Sequence, residues 1–226
     1  MTEAEWLACD DPQRMLKFLR GKASDRKLRL FACACCRLIW HLLADERSRR
    51  AVEVAEQFAE GLANAEEREA AEVGADQARK DASEYSISEY LTQAARAACC
   101  VVYPTENGQE AIEHAGAILA ACSLSARHGA SDLGGQVALR GMASYLLRDV
   151  FGNPFRPIGT DPGWLTSRVV EQARAIYEDR AFDKVPELAD VLKAAGCHNT
   201  DILAHCRGPG PHVRGCWVVD LLLGKE

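Results

Sequence analysis

The stretch from Gly196 to Asp220, GCHNTDILAHCRGPGPHVRGCWVVD, gathers three of the ten cysteines and three of the six histidines of the 226-residue chain. Thiols and imidazoles at this density support three chemistries. If Pro211 opens a helix, His212, Cys216 and Asp220 fall at i, i+4 and i+8 and share one face. A zinc ion takes four ligands from such groups, and an i, i+4 pair supplies two. The candidate ligands are then His212 and Cys216, completed from Cys197, His198 and His205; Cys206, adjacent to His205, is hard to place on the same ion. No CxxC knuckle accompanies them. A second chemistry is a reactive thiol: Cys216 in the first turns of a helix, with His212 and Arg214 beside it, has its pKa lowered. A Cys–His pair near Asp220 is also the outline of a nucleophilic site. The third is anion binding at a helix start by Arg207, His212 and Arg214. The Gly-Pro-Gly-Pro run at 208–211 is neither a Walker loop nor a dinucleotide fingerprint.

Against all three stands plain packing. Free cysteine is among the most buried residues and behaves as a small hydrophobe. Trp217, Val218, Val219 and Leu221 to Leu223 then dock a terminal helix, and Asp220 pairs with an arginine. The same reading covers Cys33, Cys35 and Cys36, with His41 as a core histidine.

The elements that position these residues read as helices throughout. Asp10 and Asp11 precede Pro12, a cap followed by a first-turn proline, and Met15, Phe18 and Leu19 form an apolar face. Ser24 or Asp25 opens a helix reaching about Ala44, apolar on nearly all sides and therefore central. Asp45 to Leu62 is amphipathic. From Ala63 to Arg79, Ala, Glu and Gln form a helix with little to bury. Residues 84–103 regain an apolar stripe that includes Ile87, broken by Pro104 and Asn107-Gly108. Helices follow at Gln109–Arg127 and Asp132–Phe151. A proline-rich segment from Pro154 to Pro162 is the best boundary in the chain. Beyond it come Leu165–Asp179, a helix opened by Asp183 and Pro186 and closed by Gly196, a short turn capped by Asn199 or Thr200, and the last element, Pro211–Leu223. The last is read as helix, although Cys216 to Val219 also suits a buried strand.

The formal net charge of −6 argues against a general nucleic-acid or anionic-membrane binder. It is unevenly spread: residues 1–50 carry 11 Lys+Arg against 7 Asp+Glu, and residues 51–110 carry 4 against 13. The two segments are expected to pair within the molecule. No run approaches the roughly 18 apolar residues of a transmembrane helix. Met1 to Asp11 lacks the apolar run of a secretory leader. A cytoplasmic location with reduced thiols follows.

Asp25–Glu56 (DRKLRLFACACCRLIWHLLADERSRRAVEVAE), Leu146–Pro157 (LLRDVFGNPFRP) and Ala189–Glu226 (ADVLKAAGCHNTDILAHCRGPGPHVRGCWVVDLLLGKE) resemble a large paralogous family of bacterial proteins expanded in planctomycetes. The resemblance implies no activity, cofactor or catalytic residue. It suggests that the position of Cys206 is often aliphatic in relatives, and a large paralogous set suits interchangeable interaction modules.

The expectation is an all-α chain, a single compact domain of about eight to ten helices, with residues 1–153 as a core and 154–226 as a packed C-terminal subdomain. Its leading function is a non-enzymatic cytosolic interaction or regulatory module with a protein partner, contacted through Arg207, His212, Arg214 and Trp217. The alternative is a zinc-binding protein using Cys197, His198, His205, His212 and Cys216. A cysteine-dependent enzyme using Cys216 and His212 is third.

Overall fold

Short polar side chains cap the helices where the sequence places them. Asp11 Oδ1 accepts the Gln13 and Arg14 amides at 3.0 and 3.3 Å, Ser24 Oγ accepts the Lys27 amide at 3.3 Å, and Asn199 Oδ1 accepts those of Asp201 and Ile202 at 3.0 and 3.1 Å. Each satisfies helix-start donors that have no intrahelical partner. The computed structural model describes residues 1–85, 89–103, 115–121 and 133–225. Among them the chain is all-α, with twelve helices and no strand. These are α1 (Glu3–Ala8), α2 (Pro12–Leu19), α3 (Asp25–Leu38), α4 (Glu46–Ala59), α5 (Ala65–Tyr85), α6 (Glu89–Val102), α7 (115–121), α8 (Leu133–Phe151), α9 (Ser167–Glu178), α10 (Val185–Ala194), α11 (Thr200–Cys206) and α12 (Trp217–Leu223). Ile87, Pro104, Asn107 and Gly108 lie outside the described residues. No described helix is long and apolar enough to cross a membrane.

The chain divides into two compact units. One comprises Ala8–Ser144; the other comprises Met1–Leu7 with Tyr145–Glu226. The division falls inside α8, not at the proline-rich segment. That segment stops a helix, yet Ile158 within it and Trp164 and Leu165 just after it pack on the same apolar cluster as α9 to α12.

In the Ala8–Ser144 unit, α3 is the buried pillar, with Leu28, Leu30, Phe31, Cys33, Cys35 and Cys36 enclosed. It ends at Leu38, earlier than expected, and a 3-10 turn over Trp40–Leu42 follows. The early stop leaves His41 exposed rather than in the core. The cysteines need no chemical role there, since burial pushes the Cys33 and Cys35 thiols well up and holds them neutral. Helix α5 corrects another expectation. Its alanines Ala71, Ala75 and Ala78 are buried, and it packs extensively with both α4 and α6, because side chains this small let helices approach closely.

The charge asymmetry resolves into ion pairs within this unit. Arg37 donates to both carboxylate oxygens of buried Glu56 at 3.1 and 2.9 Å. Arg26 meets Glu60 at 2.8 Å, and Arg47 meets Asp81 at 2.6 Å. Each joins a cation of the basic segment to an acid of the acidic one. Arg29 and Arg68 serve the C-terminal end of α6, donating to the carbonyls of Val101 and Tyr103 (3.0 and 3.2 Å) and of Val102 (2.9 Å). These are carbonyls a helix end leaves unpaired.

The second unit is organised around the last turns of α8. Trp6 is fully enclosed, and its Nε1 donates to the Gly152 carbonyl at 3.0 Å. Gly152 has φ +63°, which favours glycine, and a Cβ there would also crowd the Trp217 ring at 3.1 Å. Val169, Ala173, Ile176, Leu188, Leu192, Cys197, Ile202, Cys206, Val218, Val219 and Leu222 form its apolar core. A fully enclosed Val, Ile or Leu in this core contributes about 1.5–3 kcal/mol.

Candidate metal centre

Four side chains from three stretches of this unit converge on one point. Asp149 lies in the last turn of α8, and His205 in the last turn of α11. His212 lies in the segment between α11 and α12, and Cys216 is the residue immediately before α12. Asp149 and Cys216 are fully enclosed and His212 nearly so, while His205 retains slight exposure. One ligand-type atom from each lies within 4.8 Å of all the others. His212 Nδ1 is 2.6 Å from Asp149 Oδ1, and His205 Nε2 is 3.1 Å from the same oxygen. Cys216 Sγ is 3.3 Å from His205 Nε2 and 3.8 Å from His212 Nδ1.

The local sequence explains the placement. Asn199 caps α11, so six residues later the chain has turned His205 inward while His198 remains exposed. The Gly208 to Pro211 turn then reverses the chain. Gly210 lies against the Tyr145 ring so closely that a Cβ there would overlap it. Asp149 Oδ2 accepts the Val213 amide at 3.0 Å, which fixes the carboxylate and leaves Oδ1 aimed at the two imidazoles.

The electrostatics follow from burial. Desolvation pushes the Asp149 carboxyl up, but hydrogen bonds from His205 and His212 outweigh it and hold the group below its ordinary value. Burial, and then the Asp149 charge, push the Cys216 thiol well above its ordinary value. That reverses the sequence expectation of a lowered thiol pKa, which placed Cys216 inside a helix and open to its dipole. Burial first and Asp149 second also raise the Tyr145 phenol to about 12.

Each imidazole uses a single nitrogen toward both Asp149 and Cys216. A nucleophilic relay needs the opposite, one nitrogen on the thiol and the other on the carboxylate. Convergence of one atom per residue is the geometry of ligands around an ion. Four donors about 2.0–2.3 Å from a tetrahedral centre lie roughly 3.3–3.7 Å apart. The separations of 3.1, 3.3 and 3.8 Å approach that spacing. The 2.6 Å Asp149–His212 contact is a hydrogen bond that a metal replaces. His212 Nε2 is buried and without a hydrogen-bond partner among the described residues. The ring is therefore held by what its Nδ1 meets. The four residues can hold a metal ion.

The other sequence candidates lie elsewhere. Cys197 packs in the apolar core and His198 is exposed; neither joins the group. Cys206 points into the same core, where burial raises its thiol to about 12. The expected i, i+4, i+8 face does not form. Helix α12 begins at Trp217, so His212 sits in an irregular segment, and only Cys216 and Asp220 keep a helical relation. Arg207 is exposed and bonds Asp190 at 2.7 Å. Arg214 donates to the Tyr177 carbonyl at 3.0 Å and lies 4.8 Å over that ring. Trp217 is half-buried, 5.1 Å from the His205 ring. Asp149 carried one sequence signal, a carboxylate at i+3 from Leu146 and adjacent to Val150 on the apolar face of a helix. The chain matches no protein-family model, no curated protein and no solved structure.

Proposed function

We propose that Asp149, His205, His212 and Cys216 hold one zinc ion as a structural centre, and that the protein is a zinc-stapled helical module that works by binding a partner rather than by catalysis. The observation that supports the reading is the approach of one oxygen, two nitrogens and one sulfur to a common point. A mixed sulfur, nitrogen and oxygen set suits zinc better than magnesium or calcium, which take oxygen donors. With four protein ligands the set is closed, as in structural sites; catalytic sites keep a position for water or substrate. Such an ion ties the turn and the start of α12 to α8. Apparent binding energies of structural zinc sites, about 10–16 kcal/mol at neutral pH, are large enough to decide whether the segment folds. A reduced thiol at Cys216 is required, and the nine described cysteines are all free, which suits a reducing compartment such as the cytoplasm. Of the four contact residues suggested by the sequence, Arg207 is the one exposed for a protein partner.

Metal content of untagged protein, purified without chelator and measured by mass spectrometry beside Cys216→Ser, tests this. About one equivalent of zinc in the wild type, lost in the variant, supports the centre. No metal, even after zinc is added to protein with all thiols reduced, refutes it.

A further inference from the structure

We propose that His205 is the exchangeable ligand of this centre: metal enters and leaves on its side, and a small monodentate nitrogen or sulfur donor can take its place. The proposal rests on reading the four residues as a metal centre. Three donors are locked in. The Asp149 side chain has 0% exposure and its second oxygen is tied to the Val213 amide; His212 has 2%; Cys216 has none. The His205 side chain has 14% exposure. Among the four, its side chain is the one with appreciable solvent exposure.

Its tethering is also the weakest. His205 sits in the last turn of a seven-residue helix whose end is followed by the Gly208 to Pro211 turn. Its distance to Asp149 is 3.1 Å where that of His212 is 2.6 Å. Beyond its 3.3 Å contact to Cys216 Sγ, the support described for the ring comes from faces and edges, His212 at 4.9 Å and Trp217 at 5.1 Å between centroids. Ring contacts of this kind permit a rotamer change that a buried hydrogen bond resists. The exchange is a simple substitution. The incoming lone pair forms a bond to the metal as the His205 Nε2 pair leaves it, and nothing is oxidised or reduced. The ligand class is a small imidazole or thiol, since the metal retains one sulfur, one nitrogen and one oxygen ligand and accepts a fourth donor as soft as the imidazole it loses. Trp217, against the departing ring, is a built-in optical reporter.

The test uses cobalt(II) loaded into the full chain, read by visible absorption, with imidazole as the incoming donor. His205→Ala is expected to bind one cobalt and keep the Cys216 sulfur-to-metal band. It should release metal to a chelator at least about tenfold faster than wild type, the least that loss even of an outer partner usually costs. Added imidazole should then shift its bands and restore slow release. His212→Ala should lose the band. Circular dichroism checks the fold of both, and His205→Gln substitutes if His205→Ala is unfolded. The proposal is overturned if His205→Ala and His212→Ala lose cobalt equally, or if imidazole leaves the His205→Ala spectrum and release rate unchanged. A wild-type chain that takes up no cobalt instead sinks the metal centre itself.

Discussion

Asp149→Asn is the most informative single change, because it keeps the size while removing the charge and turning one acceptor oxygen into a donor. In chelator, the wild-type carboxylate accepts from His212 at 2.6 Å, from His205 at 3.1 Å and from the Val213 amide at 3.0 Å. Asparagine keeps the Val213 bond through its oxygen and presents an NH2 to the two imidazoles. Two charge-assisted bonds, about 1.5–3 kcal/mol each, become at best one neutral bond of about 1 kcal/mol. The expected loss is roughly 2–5 kcal/mol, which for a chain of this length lowers Tm by roughly 4–20 °C. The pH dependence adds a second readout. With the native carboxyl held below its ordinary value, its stabilisation is complete above the unfolded value of about 4 and is lost as pH falls through the depressed native one. Asp149→Asn should therefore flatten the acid limb of a plot of Tm against pH. Scanning calorimetry from pH 3 to 8, with chelator and again with zinc, measures both. Zinc should raise the wild-type Tm, by an amount that grows with free metal, and move that of the variant much less. A variant that melts within about 1 °C of wild type in chelator, against the 2–4 °C expected per kcal/mol, and responds to zinc as wild type does, would refute the reasoning.

Gly210→Ala places a methyl into the Tyr145 ring and should cost about 1–3 kcal/mol or more by overpacking; thermal melts should show Tyr145→Ala relieving part of that loss in the double variant. Cys216, enclosed and with its thiol raised by burial, should resist iodoacetamide at pH 8 until the protein is unfolded, whereas the exposed edge of Cys9 reacts first; peptide mapping decides, and rapid labelling of Cys216 in native protein would contradict the burial. In the other unit, Glu56→Gln leaves the Arg37 guanidinium facing an uncharged partner. Because Arg37 keeps partial solvent contact, the expected cost is about 2 kcal/mol rather than the 3–5 of a fully buried pair, measured by urea unfolding.

Much of the fold was legible in order along the chain. The caps at Asp11, Ser24 and Asn199 and the apolar spacing of α3 and α4 act through bonds and contacts three or four residues apart. That is the range over which a sequence pattern is read directly. The enrichment of Cys and His between residues 196 and 220 likewise singled out the stretch in which three of the converging residues, His205, His212 and Cys216, lie. What the pattern could not supply is the fourth. Asp149 meets His212 across 63 residues of chain, and only the seating of the turn before α12 against the end of α8 brings them together. The same packing decided which neighbours were excluded: Cys197 was drawn into the apolar core, and His198, next to it, was left in solvent. It also reversed the sign at Cys216. A helix start in water lowers a thiol pKa, but enclosure beside a carboxylate raises it. Helix periods are local and survive in one dimension. Burial and convergence belong to the three-dimensional contact set, and they govern the chemistry here.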